Sequence, residues 1–180
     1  KVLETLAMPK AKFNIKLEPQ PTLSPAGADS LSISVAFNPN QPLKPLNKVA
    51  SGGELSRVML ALKKVVGKAD NTPVLVFDEI DTGIGGQTAV NVGLCLAKLA
   101  QNSQVIVITH LPQIAAFAQH HLVIDKTFNG GKTVVRSRLV KEDERLKELT
   151  KLSGLLSNSK LDVEHARLLV EQAKRAVRNG

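Results

Sequence analysis

The sequence predicts an α/β fold with a parallel sheet, flanking helices and antiparallel strands at its edges. Three observations carry that reading. Two short, unbroken apolar runs, Val74-Leu75-Val76-Phe77 and Val105-Ile106-Val107-Ile108, have the signature of strands buried on both faces. Residues 87–100 between them place Val90, Leu94 and Ala97 at helical spacing, so the segment makes a right-handed βαβ unit. Asp78 and Glu79 follow the first run directly, at the edge where open α/β sheets bind ligands.

The other elements follow in chain order. Residues 1–9 read as the tail of a helix stopped near Pro9. Residues 11–17 and 31–37 alternate apolar and polar or small side chains, the pattern of half-buried, antiparallel strands. Prolines between them predict a loop over 18–29, and a Pro- and Asn-rich link spans 38–48. A helix is expected over 54–68, with Leu55, Val58, Met59, Leu62 and Val65/Val66 as its apolar stripe, broken by Asn71, Thr72 and Pro73. After the βαβ unit come a short helix over 111–119, a strand over 121–124, a turn at Asn129-Gly130-Gly131 and an alternating strand over 132–139. Helices over 142–151 and 161–177 close the chain, the second clustering Leu161, Leu168, Leu169, Ala173 and Ala176. No internal repeat or clean linker divides the 180 residues, so one domain is expected.

Composition narrows the function classes. With 43% hydrophobic and 22% charged residues the chain is globular, and five Phe are its only aromatics. The lone Cys95 excludes an internal disulfide and a four-cysteine zinc site. No run reaches the roughly 18 apolar residues of a membrane-spanning helix. The net charge of +8 is compatible with a polyanionic partner, whether nucleic acid, nucleotide or acidic membrane, without choosing between them, and equally with a basic surface that touches no nucleic acid. Lys12 and Lys16 share one strand face and Arg136 and Arg138 another, which solvation explains as well as contact with DNA phosphates does. No helix-turn-helix or zinc-finger pattern is present to read bases.

The chemistry gathers at two places. Adjacent side chains on an extended segment diverge, so one of Asp78 and Glu79 can face a magnesium ion while the other faces a water beyond it; an acidic strand boundary is the bland alternative. Asp81 and three glycines in Gly83-Ile84-Gly85-Gly86 make a loop needing positive φ or close backbone approach. Parallel pairing would bring Thr109-His110 to the same edge. At the second place, Ser51-Gly52-Gly53-Glu54 precedes a helix. Ser51 and Glu54 match a capping box, yet two glycines there cost up to about 1 kcal/mol each. Their use is a bare helix N-terminus able to receive a phosphate, with an ordinary capped turn as the alternative.

In this order and spacing, Ser51 to Glu54, Val74 to Asp78, Glu79, Asp81 and His110 resemble the signature, Walker B strand, catalytic glutamate, D-loop and switch histidine of an ATP-binding-cassette ATPase head. The stretches 48–61, 77–86 and 109–113 are more narrowly similar to the RecN family of bacterial DNA-repair proteins, itself SMC-like. Ala50 and Glu54 stand where transporter cassettes usually carry Leu and Gln. Another cassette ATPase, from chromosome organisation or transport, and a non-catalytic structural module remain as alternatives.

The resemblance implies that residues 1–180 are the C-terminal part of a P-loop NTPase head of the ABC/SMC type. No Gly-x-x-x-x-Gly-Lys-Ser/Thr run occurs, so the Walker A half and the coiled coil are expected on an absent N-terminal portion, and this piece alone should not hydrolyse ATP. The cofactors implied are ATP and Mg2+. Asp78 would support the metal, Glu79 would activate water and His110 would meet the γ-phosphate. Ser51, Gly52, Gly53 and Glu54 would complete the site of an opposing protomer, and Asp81 would link the two sites. The partners implied are the chain's own N-terminal head half, a second head in an ATP-sandwiched homodimer, and double-stranded DNA or its ends, with no membrane. The implied location is the bacterial cytoplasm, at the nucleoid.

Overall fold

The computed structural model describes residues 1–180 except 26, 50, 68–71, 130, 156–158 and 180. Its centre is the expected βαβ unit. Strands β4 (Val74–Phe77) and β5 (Gln104–Val107) pair in parallel, from Val74 opposite Gln104 to Phe77 opposite Val107. A further bond from the Ile108 N–H to the Phe77 carbonyl, 3.0 Å, carries the pairing one residue on. Helix α3 (Gly86–Leu99) makes the crossover, and α2 (Gly52–Val66) runs in just before β4. Leu6, Val58, Leu60, Ile80 and Val92 lie fully shielded in the core, with Leu75 and Phe77 against them.

Only one face of the parallel sheet is covered, contrary to the burial on both faces that the apolar runs predict. Val74, Val76, Ile106 and Ile108 point the other way, with Val76 61% exposed. No layer lies over that second face among the described residues. The uncovered side explains the helix stripes as well. Helix α2 buries Gly53, Arg57, Val58, Leu60 and Ala61, so of the stripe read from the sequence only Val58 is buried. Leu55 and Met59 instead line a shallow groove with Ser56, Leu75 and Val76. Helix α3 buries Ala89, Val92, Gly93, Cys95 and Leu96 rather than Val90, Leu94 and Ala97. Its bare position at Gly93 sets that rotation, because a Cβ there would overlap the Phe117 ring. The expected end of α2 at Lys68, and Asn71 beyond it, fall outside the described residues.

The antiparallel strands form sheets of their own. Strands β1 (Lys12–Ser24) and β2 (Gly27–Ala36) pair from Lys12 opposite Ala36 to Pro19 opposite Asp29, and again at Ser24 opposite Gly27. The loop expected over 18–29 is therefore mostly strand. Prolines mislead here because β1 is an edge, bonded on one side only, where a missing N–H is tolerated. The link over 38–48 holds a two-residue strand, β3 (Lys44–Pro45), and a 3-10 turn over Leu46–Lys48. Helix α1 (Val2–Thr5) ends before Pro9, as expected.

Downstream, α4 (Pro112–Ala115) is shorter than the helix expected over 111–119. Strands β6 (His121–Asn129) and β7 (Lys132–Val140) form a hairpin with Leu122 opposite Leu139; Gly130 of its predicted turn lies outside the described residues. Helices α5 (Glu142–Leu152) and α6 (Lys160–Asn179) close a small second cluster of Ala115, Leu149 and Ala166. Ala173 is the only member of the predicted α6 cluster that is buried, and Leu161 and Leu168 are exposed. An ionic lock of five residues joins this hairpin to α5. Arg138 binds Asp125 at 3.0 Å, Glu148 at 2.7 Å and also Glu144, and Lys151 reaches Glu148 at 2.8 Å, while His121 lies close enough to feel Arg138, Arg145 and Glu148.

Candidate functional site

The parallel register decides where the site forms. Because Phe77 pairs with Val107, the residues leaving both strands emerge at one edge: Asp78 and Glu79 from β4, Thr109 and His110 from β5. The Asp78 carboxylate Oδ1 accepts the Glu79 N–H at 2.8 Å, and the Asp78 carbonyl accepts the Ser56 hydroxyl at 2.7 Å. Both acids are exposed at this edge. Glu79 has φ of 55°, a left-handed conformation unusual for a side chain with a Cβ, and it starts a turn closed by the Thr82 N–H to the Glu79 carbonyl at 3.0 Å.

That turn carries Asp81 inward. Its carboxylate is 4% exposed, and one oxygen, Oδ2, accepts two bonds, from the Thr109 hydroxyl at 2.5 Å and the His110 N–H at 2.8 Å, while the His110 ring nitrogen Nδ1 lies 3.0 Å away. The Thr109 hydroxyl in turn accepts the Leu111 N–H at 3.0 Å. The imidazole itself stays 74% exposed. In the glycine run that follows, Gly83 and Gly86 have positive φ, whereas Gly85 is extended and open to any residue.

The start of α2 lies against the same loop. Ser51 Oγ accepts the Glu54 N–H at 3.3 Å, so the cap read from the sequence is formed. Close approach requires the second glycine: a Cβ at Gly53 would lie 2.8 Å from the Glu79 carbonyl oxygen and from Thr82 Cβ, whereas one at Gly52 would meet the end of the Glu79 side chain, which can swing aside. The helix N-terminus thus meets a carboxylate, the sign its dipole favours. Ser51, Gly52, Gly53, Asp78, Glu79, Asp81 and His110 therefore occupy one continuous edge of a single chain.

One contributor escapes a reading of motifs, and another, named with His110, gains its task only in the structure. Arg57, one turn into α2 and 5% exposed, donates Nη1 to the Thr82 carbonyl at 2.8 Å and to the Ile80 carbonyl at 3.3 Å, bracketing Asp81. Burial pushes its pKa down and the nearby Glu54 pulls it back up, while its Nε finds no partner. The other is Thr109, which ties the His110 turn to Asp81. A cation in the middle of a buried helix face was the available signal for Arg57; for Thr109 there was none beyond its neighbour.

The donor set suits magnesium with phosphates and not a protein-only metal cage. Among the described residues, no three His, Cys, Asp or Glu side chains are arranged to hold a metal. Asp78 keeps one carboxylate oxygen beyond the Glu79 bond, and magnesium bound beside phosphates commonly needs only one or two carboxylates and otherwise keeps its waters.

No family profile matches the chain. Individual proteins do. It is 40% identical to DNA repair protein RecN of Streptomyces coelicolor over 184 residues, covering 96% of this chain and 32% of the relative. It is 45% identical to DNA repair protein RecN of Deinococcus radiodurans over 170 residues, covering 94% of this chain and 29% of the relative. This chain thus spans about a third of the length of these relatives. Among solved structures, the Smc head domain with a coiled coil and joint from Pyrococcus yayanosii superposes with a TM-score of 0.55 at 23% identity, over 84% of this chain and 28% of that one. The chain thus belongs to the RecN family of bacterial DNA-repair proteins, and its fold is that of an Smc head domain.

Proposed function

We propose that this segment is the C-terminal lobe of an ATP-hydrolysing, SMC-like head that acts on DNA in the recombinational repair of double-strand breaks, in the bacterial cytoplasm at the nucleoid. The observation that carries the reading is the shared edge: parallel pairing of β4 and β5 sets Asp78, Glu79 and His110 together, with the glycine start of α2 against them. The other lobe, on the N-terminal part of the polypeptide, would supply the P-loop and cover the bare sheet face.

Each residue then has a task. Asp78 holds magnesium through its water shell, using the oxygen not bonded to the Glu79 N–H. Magnesium, when bound, neutralises phosphate charge in the transition state. Glu79 orients and deprotonates the attacking water from a backbone held by the turn to Thr82. His110 reaches toward the terminal phosphate and that water. Ser51, Gly52, Gly53 and Glu54 present helix-end amides and a hydroxyl to the nucleotide of a second head, so that ATP joins two copies and hydrolysis releases them. Asp81 lies beneath this interface and links its two sides through His110 and the Arg57-held loop. Contact with double-stranded DNA or its ends is to phosphates and weakens steeply with salt.

The test is ATP turnover by the full-length polypeptide carrying this segment, with and without double-stranded DNA, beside a Glu79→Gln variant. The expected result is DNA-stimulated turnover in the native protein, lost in the variant by about 100-fold or more. The variant should still dimerise with ATP by light scattering. Neither turnover nor ATP-dependent dimerisation in the native protein would overturn the reading.

A further inference from the structure

The surplus of positive charge is unevenly placed along the chain. Residues 49–119, which hold α2, the βαβ unit and its edge, carry five cations and five acids, so the excess lies in the flanks. Several flanking cations are already neutralised. Lys16 pairs with Glu18 at 2.6 Å, Arg138 is held by Asp125, Glu144 and Glu148, and Arg136 stands opposite Asp125 in the hairpin. Helix α6 differs. Lys160, Arg167, Lys174 and Arg178 are exposed and lie seven, seven and four residues apart, which puts them in one row about 27 Å long. Two acids flank the row, Glu164 at 3.8 Å from Arg167 and Glu171 at 3.8 Å from the neighbouring Arg175. Lys160, Lys174 and Arg178 form no ion pair among the described residues.

The helix dipole accounts for cations in the last turn of α6 but not for the row. Lys160 stands at the other end, where a cation is disfavoured and where Ser159 and Asp162 cap the helix through bonds of 3.1 and 3.2 Å. The apolar side of α6 is already in use: Ala166 packs with Ala115 and Leu149, Val170 lies against them and Ala173 is buried. A lipid surface would want that side, so the row offers charge alone. We propose that Lys160, Arg167, Lys174 and Arg178 form a surface for the phosphate backbone of double-stranded DNA, bound without regard to sequence. At 3.4 Å per base step the row spans about eight steps, less than one turn, so α6 can lie along a single side of the duplex. The inference rests on the DNA association proposed above and assigns it a place; it does not depend on the chemistry at the β4–β5 edge.

The experiment measures binding of a labelled DNA duplex to the full-length polypeptide by fluorescence anisotropy across a salt series, with ATP present throughout. One variant combines Lys160→Gln, Arg167→Gln, Lys174→Gln and Arg178→Gln; glutamine suits an exposed helix position, and circular dichroism checks the fold. Its plot of log affinity against log salt should be shallower by about 3 to 4, and its binding at about 0.1 M salt weaker by about 100-fold or more. A second variant, Arg167→Lys with Arg178→Lys, keeps the charge and should bind as the native protein does. A third, Lys10→Gln, Lys12→Gln, Lys16→Gln and Lys44→Gln, removes as many charges from the other flank and should change the slope by less than about 1. Native binding in the first variant overturns the proposal and leaves DNA association to another surface. Equal losses in the first and third variants overturn it too, because net charge alone would then be at work. If the native polypeptide binds vesicles of phosphatidylcholine and phosphatidylserine but no DNA, both the surface and the proposed DNA association fall. Loss of DNA binding in the first variant, in a polypeptide that never turns over ATP, would sink the ATPase reading and leave this surface standing.

Discussion

The edge where β4 and β5 end and the β6–β7 hairpin are both held by arginines, and they are held in opposite ways. Arg57 is buried, binds two backbone carbonyls and meets no carboxylate at bonding distance among the described residues. Arg138 is solvent-facing and gathers Asp125, Glu144 and Glu148 around its guanidinium. Water competes freely for the second arrangement and scarcely for the first. The edge that must hold its geometry thus relies on desolvated bonds to the main chain, whereas the hairpin is attached by contacts that salt can loosen.

Several changes would break or sharpen that contrast. The largest effect belongs to the shared packing beneath the edge: Leu60→Ala, at a fully shielded position, should cost about 2–5 kcal/mol in urea unfolding, with little dependence on salt. Next, Arg57→Met keeps bulk but strips the donor from the Ile80 and Thr82 carbonyls, and about 3 kcal/mol should be lost for two unpaired buried acceptors. That loss should persist in 1 M salt on the order expected for screened solution, about a 3 Å Debye length. A salt-sensitive loss would mean that Arg57 acts as a surface charge after all.

His121 tests the hairpin through acid. Burial holds its pKa below the usual 6.5, helped by the charges of Arg145 and Arg138 and opposed by Glu148. A histidine with a depressed folded pKa binds protons more readily when unfolded, so its contribution to stability is complete above the unfolded pKa and is lost as pH falls through the folded one. Thermal stability should therefore drop below about pH 6.5, and His121→Phe should flatten that part of the profile. The smallest effect belongs to Arg138→Ala, whose reduction in melting temperature at low salt should disappear at high salt.

How much of this could be read from residues alone differs by element. The βαβ unit was legible because four-residue apolar runs and a helical repeat between them leave few topologies, and the edge followed from parallel pairing. The buried faces of α2 and α3 were not. A stripe shows that a helix has an apolar side, but Leu55 and Met59 belong to a side that no layer covers among the described residues, and Gly93 marks a true contact by having no side chain. The β1–β2 hairpin was hidden by prolines that an edge strand accommodates. At the site, Ser51, Gly52, Gly53, Asp78, Glu79, Asp81 and His110 stood out by type and spacing. Arg57 did not, because its partners are carbonyls 23 and 25 positions away, and every residue has a carbonyl.

The left-handed backbone at Glu79 sets evolution a choice at that position. A residue with a Cβ gives up on the order of 1–2 kcal/mol to sit there, and glycine would not. On the proposed ATPase reading, Glu79→Gly should therefore yield a protein that melts later than the native one and no longer turns over ATP. Selection for persistence alone would drift toward glycine, so a glutamate kept in this strained turn would record selection for turnover at the expense of durability.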